Sequence, residues 1–146
     1  MYKILTFIVK DDKFLILKGN KNDPQFHESF WYVVTGGVEN IDASFEDAVK
    51  REVKEECGID VYNIKPLNLT FIYNSLGKKC IEKAFVSFSN SENIVLNEEN
   101  IEYRWCTLEE FISIVKWYGD KEKLRYVLKC ILDNKIPFEK EEIENI

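Results

Sequence analysis

Three glutamates near the middle of the chain have a spacing that suggests metal chemistry. Glu52 is followed by Glu55 and Glu56 at three and four residues, the separations at which side chains meet on one helix face. Carboxylates this close repel one another unless a cation lies between them. Hard divalent cations prefer such oxygen ligands. On charge pattern alone, an ordinary solvated helix face is an equal alternative.

A single amphipathic helix is predicted to carry these carboxylates. Ser44 suits the N-cap, with Asp47 as a weaker capping-box partner, and Gly58 suits the C-terminal end. Just before this segment, Gly36 and Gly37 let backbone carbonyls approach a ligand without an intervening Cβ atom. An apolar row at helical spacing faces the core: Phe45, Val49, Val53 and Cys57. The acidic cluster therefore lies at the edge of the core-facing stripe, close to a glycine turn.

The segment Gly37–Ile59 resembles the signature of the Nudix hydrolase family, G-x(5)-E-x(7)-R-E-U-x-E-E-x-G-U, in which U is aliphatic. The positions that match are Gly37, Arg51, Glu52, Val53, Glu55, Glu56, Gly58 and Ile59. Ala43 is the one departure, because the family usually carries glutamate there. Asp42, Glu39 and Glu46 are candidates to replace that glutamate. The departure predicts weaker metal binding more readily than loss of activity, because the ligand-bearing residues remain.

The resemblance implies a Mg-dependent pyrophosphohydrolase, with Mn as an alternative metal, that cleaves a nucleoside triphosphate or related nucleoside diphosphate linked to another moiety by water attack on phosphorus. Around the signature, the chain looks most like the branch that includes dATP and dihydroneopterin-triphosphate pyrophosphohydrolases. A dinucleoside-polyphosphate hydrolase is the nearest enzymatic alternative. A Nudix domain that senses a nucleotide without cleaving it, and an acidic interaction domain without metal, are the non-enzymatic ones.

The family's functional residues can be carried over by position. Glu52 and Glu56 become the principal metal ligands, and Glu55 a further ligand, directly or through water. The backbone carbonyl at Gly36 or Gly37 completes the inner shell. Arg51 is expected to hold a carboxylate by a bidentate contact. The expected catalytic residues are thus Glu52, Glu55, Glu56 and Arg51.

Candidates outside the signature are less specific. Members of the family often take another acid from a later loop, and Glu99, with Glu98 second, is the choice here. An acidic surface loop is the alternative interpretation of both. His27 is the one histidine and a candidate base, although a lone loop histidine is commonly incidental. The candidate substrate-binding residues are Gly37 and three aromatic side chains that could equally belong to the core: Phe26, Trp31 and Tyr73.

Composition limits the partners. The chain has 146 residues and a net charge of −6 without a basic run, which argues against a nucleic-acid polymer or an anionic membrane as partner. Its four cysteines form no C-x-x-C pair, so buried thiols in a reducing cytoplasm are expected. No signal sequence is recognised at the N-terminus. The choice between monomer and homodimer stays open.

Hydrophobic periodicity predicts one domain over residues 1–136 and a frayed acidic tail over 137–146. The predicted strands are Tyr2–Lys10, Phe14–Lys18, Phe30–Thr35, Leu67–Tyr73, Cys80–Ser89 and Ile101–Cys106. Two helices follow, Leu108–Trp117 and Lys121–Asp133. This order favours an α/β (α+β) fold with a mixed sheet covered on both faces, compatible with the α/β/α sandwich that the resemblance implies.

Overall fold

A mixed sheet organises the computed structural model, which describes residues 1–20, 29–117, 119–135 and 141–144. Within these ranges, eight strands join in the order β3-β2-β1-β6-β5-β8, with β4 paired to β1 and β7 to β2. The strands are β1 (Tyr2–Lys10), β2 (Lys13–Gly19), β3 (Trp31–Tyr32), β4 (Val34–Gly37), β5 (Val61–Ser75), β6 (Lys78–Ser89), β7 (Asn100–Cys106) and β8 (Glu141–Glu144). The helices are α1 (Phe45–Cys57), α2 (Leu108–Ile114) and α3 (Lys121–Leu132).

Helices cover both faces of this sheet. Side chains alternate between the two faces along each strand, so neighbouring residues of one strand pack against different helices. On β1, Ile4 and Ile8 belong to the buried cluster that includes the apolar side of α1. Leu5 and Phe7 belong to the cluster formed with α2 and α3. The predicted α/β/α sandwich with a mixed sheet is therefore confirmed. All four cysteines are buried free thiols, as predicted.

The central strand β1 brings the double glycine to the helix that carries the acids. Near the connecting turn β1 pairs with β2, where Val9 lies opposite Phe14. Nearer its own start it pairs with β4 instead, where Ile4 lies opposite Gly36. The strands β1 and β2 thus diverge, and β4 enters the gap between them. The chain then leaves β4 directly into the loop that precedes α1.

Several predicted boundaries differ from the structure. The predicted strand Phe30–Thr35 is divided into β3 and β4 with Val33 between them. The predicted helix beginning at Leu108 ends at Ile114, because Val115 adopts an extended conformation. Strand β5 is longer than predicted and contains two irregularities. Asn63 and Asn68 have positive φ there, a conformation that asparagine tolerates better than most residues.

Part of the C-terminal tail is ordered, so the expectation of fraying is wrong for Glu141–Glu144. These residues form β8, parallel to β5, with Leu69 opposite Glu141. Ile143 packs against the core, and Lys123 Nζ donates to the Glu141 carboxylate at 2.6 Å. The division into residues 1–136 and 137–146 stays a prediction. Among the described residues, none of the helices is long and apolar enough to cross a membrane.

Candidate active site

Helix α1 is fixed by its caps and by its buried side. The Ser44 hydroxyl accepts a hydrogen bond from the Asp47 amide at 3.1 Å, as the sequence predicts. Gly58 ends the helix with φ of 69°, and its amide donates to the Lys54 carbonyl at 3.0 Å. A side chain at this φ would be strained, which explains the glycine. The apolar residues Val49 and Val53 are fully buried beneath the sheet. The acidic side of the helix is thereby turned towards β4.

Glu52 lies against the glycine turn. A Cβ atom added to Gly36 would come within 2.1 Å of the Glu52 Cδ atom and within 2.5 Å of both carboxylate oxygens. The absence of a side chain at position 36 therefore makes room for this carboxylate. Burial raises the pKa of Glu52, and the neighbouring Arg51 guanidinium opposes that rise. Glu52 is held in a low-dielectric position where a cation would be strongly favoured.

Glu56 is the most buried acid of the cluster, with 7% of its surface exposed. Its Oε1 atom accepts a hydrogen bond from Asn100 Nδ2 at 3.3 Å, whereas Oε2 is buried with no hydrogen-bond partner in the described part of the chain. Burial, followed by the charges of Glu99 and Glu52, raises the pKa of Glu56 to about 9. An orphaned buried oxygen of this kind is costly unless something binds it. A metal cation would satisfy this oxygen, so the donor set fits a divalent ion.

The later acidic loop approaches the same place. The Glu99 charge acts on both Glu52 and Glu56, whereas the Glu98 backbone carbonyl accepts a hydrogen bond from Asn20. Both side chains are exposed at the surface. The contact of Asn100 with Glu56 has no sequence signal beyond its position after the paired glutamates.

The candidate metal-binding side chains do not form a compact cluster in the described part of the chain. Across residues 1–20, 29–117, 119–135 and 141–144, no three acidic, histidine or cysteine side chains are already arranged to hold an ion. The Glu55 side chain is 54% exposed, and its carboxylate lies 3.4 Å from Arg51 Nη1.

Arg51 is the centre of the positioning network. Its Nε and Nη2 atoms donate to the two Asp42 carboxylate oxygens, both at 3.0 Å, and Nη2 also donates to the Gly37 carbonyl at 2.8 Å. Its Nη1 atom donates to Glu52 at 3.0 Å and reaches Glu55 at 3.4 Å. The hydrogen bonds that Arg51 donates to Asp42 and Glu52 raise the pKa of the guanidinium, which stays charged. One guanidinium therefore joins the loop, the glycine turn and two acids.

Asp42 is the acid beside Ala43 that pairs with Arg51, which is the kind of pairing that the resemblance implies for the family glutamate. Ala43 is exposed, and the preceding Asp42 side chain is only 3% exposed beneath Arg51. The Arg51 hydrogen bonds hold the pKa of Asp42 below its usual range. Glu39 is a weaker partner, with its carboxylate 3.5 Å from Arg51 Nη1. Of the three candidates from the sequence, Asp42 is the one that forms the bidentate pair.

Two of the three predicted stacking residues lie in the described part of the chain, on one face of the sheet. Trp31 is half-buried on the sheet face that α2 and α3 cover, with the Lys18 ammonium 6.0 Å from its ring centre. Tyr73 lies on the same face, and its hydroxyl donates to Glu82 at 2.6 Å. Phe26 and His27 lie outside the described residues.

Comparison with known proteins identifies the class. The NUDIX domain family profile matches residues 3–129, and the chain belongs to this family. The predicted Nudix hydrolase resemblance and fold are thus confirmed, and the family assignment makes the chain a hydrolase of the Nudix type. No particular branch of the family is singled out. Among curated proteins, none matches the chain.

Solved structures share this fold at low identity. A MutT protein from Methanosarcina mazei Go1 has 24% identity and a TM-score of 0.67 over 93% of this chain and 96% of its own. A NUDIX hydrolase from Nitrosomonas europaea has 16% identity and a TM-score of 0.76 over 99% and 78%. The NUDIX domain of Shewanella oneidensis NrtR, complexed with ADP ribose, has 16% identity and a TM-score of 0.67 over 90% and 88%.

Proposed function

We propose that this protein is a divalent-metal-dependent pyrophosphohydrolase, using Mg²⁺ or Mn²⁺, that cleaves a phosphoanhydride bond of a nucleoside triphosphate or of a nucleoside diphosphate linked to another moiety. Water attacks phosphorus in this reaction. The buried, unpartnered Oε2 atom of Glu56 carries the proposal. It lies on a helix whose neighbouring acid, Glu52, fits against Gly36 only because that residue has no side chain.

The metal ligands in this proposal are Glu52, Glu56, Glu55, Glu99 and the Gly36 carbonyl. The Gly37 carbonyl accepts from Arg51, which favours Gly36 as the backbone ligand. A bound divalent ion would neutralise phosphate charge and lower the pKa of a water molecule. Arg51 fixes Glu52 and the glycine turn relative to each other, and Asn100 orients the Glu56 carboxylate. Oriented groups of this kind do not have to reorganise during the reaction.

The Arg51 network favours catalysis over nucleotide sensing. Ala43, the one departure from the signature, is the only sequence feature in favour of a non-catalytic, nucleotide-sensing domain. The bidentate pair between Asp42 and Arg51 supplies the support that a glutamate at position 43 would give. The reason for expecting a defective metal site is therefore weakened.

A nucleotide panel with matched variants tests this function. Nucleoside triphosphates, ADP-ribose and dinucleoside polyphosphates are incubated with Mg²⁺ or Mn²⁺, and the products are identified. We expect Glu55→Gln and Glu56→Gln each to lower turnover by orders of magnitude. Both variants should fold, because neither replaces a core hydrocarbon, and Glu55→Gln, at an exposed side chain, should keep the wild-type melting temperature. The control is Glu46→Gln, an exposed acid in the first turn of the same helix.

Two results would reject the assignment. The first is wild-type turnover in Glu56→Gln. The second is tight nucleotide binding by the wild-type protein without any product, which would favour the sensing alternative.

A further inference from the structure

A polar row crosses the sheet face opposite α1. In the strand register, Lys3 lies between Gly37 on one side and Glu82 on the other, and Glu82 lies opposite Phe71. Directly opposed residues share a sheet face. The next residue of β1, Ile4, packs with α1, so Lys3 faces away from that helix. The row begins at the same double glycine that accommodates Glu52.

Glu82 and Lys3 are incompletely paired within this row. The Glu82 side chain is 6% exposed, and Oε2 accepts a hydrogen bond from the Tyr73 hydroxyl at 2.6 Å. The Lys3 ammonium is 4.0 Å from the same carboxylate and 5.8 Å from the Tyr73 ring centre. Within the described part of the chain, the Lys3 ammonium forms this ion pair and donates no hydrogen bond to another residue. Burial raises the pKa of Glu82, and Tyr73 and Lys3 oppose that rise.

Stability does not account for this arrangement. A buried ion pair is commonly no more stable than well-packed apolar side chains of the same volume. Here the ammonium and the carboxyl group attract each other across 4.0 Å without a hydrogen bond between them, so the pair is weaker than a well-formed buried salt bridge. Lys3 keeps donors and Glu82 keeps acceptor capacity for another molecule.

The row also has open space beside it. A Cβ atom built on Gly37 would meet nothing within 4 Å, in contrast to Gly36. The Gly37 carbonyl accepts from Arg51, which joins this end of the row to the acidic helix. A substrate with its phosphates at Glu52 and Glu56 would have to pass the glycine end of β4 to place its other end over Gly37 and against Lys3.

We propose that Lys3 and Glu82 form hydrogen bonds with the edge of the substrate's nucleobase and thereby favour guanine. This inference rests on the proposed function. The Lys3 ammonium donates to the ring carbonyl, and the Glu82 carboxylate accepts from the ring N–H and the exocyclic amino group. Tyr73 is a positioning residue that holds the carboxylate. Adenine offers one amino group beside a ring nitrogen and leaves part of the carboxylate unpaired.

Steady-state kinetics with GTP, ITP and ATP test the assignment. We expect kcat/KM to fall in that order, with GTP preferred over ATP by about tenfold or more, because a site built to hydrogen-bond a group rejects analogues that lack it. Glu82→Gln should lower kcat/KM for GTP by about 10–100-fold, mainly through KM, and leave ATP nearly unchanged. Lys3→Met should reduce the same preference and, because Lys3 is partly exposed, should fold.

The matched control is Lys83→Met, one residue further along β6. Lys83 lies opposite Ile4 on the face towards α1, with its ammonium 4.7 Å from the Phe45 ring centre. This variant should keep the wild-type GTP-to-ATP ratio. An unchanged ratio in both Glu82→Gln and Lys3→Met would overturn the proposal, as would a wild-type protein without preference among the three nucleotides.

Binding of the monophosphates GMP and AMP, measured by calorimetry without metal, separates this inference from the proposed function. If the wild type hydrolyses no nucleotide but prefers GMP, and Glu82→Gln abolishes that preference, the proposed catalytic function is rejected and the guanine site is retained. If the wild type hydrolyses nucleotides but binds GMP and AMP equally, the catalytic function is retained and the guanine site is rejected.

Discussion

Replacing Gly36 by alanine should disable the metal site while leaving the fold intact. The new Cβ atom would lie 2.1 Å from Glu52 Cδ, far inside van der Waals contact. Gly36 does not have positive φ, so alanine meets no backbone strain there. The end of the Glu52 side chain is the part that can move. The substitution therefore displaces one carboxylate without removing any metal-binding atom from the protein.

The expected loss can be worked out from the binding equilibrium. Removing even an outer partner of a metal ligand typically lowers metal affinity about 10–100-fold, and losing a direct ligand should cost at least as much. At a metal concentration of about 100 times the wild-type Kd, binding stabilises the wild type by about 2.7 kcal/mol. A variant with a hundredfold weaker site gains about 0.4 kcal/mol. For a chain of this size, these gains correspond to rises in Tm of about 5–11 °C and about 1–2 °C.

Thermal unfolding with and without Mn²⁺ is the appropriate assay. Gly37→Ala is the matched control, because a Cβ atom there meets nothing within 4 Å. Gly37→Ala should keep the full metal-induced rise in Tm, and Gly36→Ala should lose most of it, while the metal-free Tm values stay similar. A full rise in Gly36→Ala would refute the view that Glu52 needs the space at position 36 to bind metal.

Two further predictions concern Asp42 and Glu56. Asp42→Asn should lower the free energy of unfolding by about 1–3 kcal/mol, because it weakens the bidentate bond to Arg51. The control Asp11→Asn, at an exposed ion pair, should change the free energy of unfolding by less than about 0.5 kcal/mol. Urea denaturation measures both values. Because the pKa of Glu56 is raised to about 9, the metal-free folded protein retains a proton that the unfolded chain releases, so stability should fall as pH rises from about 4.5 to about 9. Glu56→Gln should flatten that slope in Tm measurements from pH 5 to pH 9, and an equal slope in both proteins would contradict the burial of this proton.

The sequence predicts those features of the protein whose interactions are local. The Ser44 cap, the Gly58 end and the buried side of α1 follow from helical periodicity within one segment. The predicted bidentate contact of Arg51 to a carboxylate is also present, whereas the sequence offers three acids as replacements for the family glutamate. Choosing Asp42 required the path of the loop, because Arg51 can reach several acids and the chain brings only one of them beneath it.

Contacts that depend on strand pairing are not predicted by local patterns in the sequence. The role of Tyr73 as a stacking surface stays a prediction, and the hydrogen bond from its hydroxyl to Glu82 is one that no local pattern in the sequence indicates. The ordering of Glu141–Glu144 as β8 was missed for the same reason, since a short acidic segment gains order only from the edge of β5 that it joins.

By itself, the sequence determined a helix with clustered acids, its two ends and the glycines before it. Each of these depends on residues within a few positions of one another, where backbone geometry fixes which side chains meet. The tertiary structure alone decided that Asn100 contacts Glu56, that Gly36 makes room for Glu52, and that Lys3 lies beside Glu82. Those contacts join distant parts of the chain, so they exist only once the register of the sheet is set.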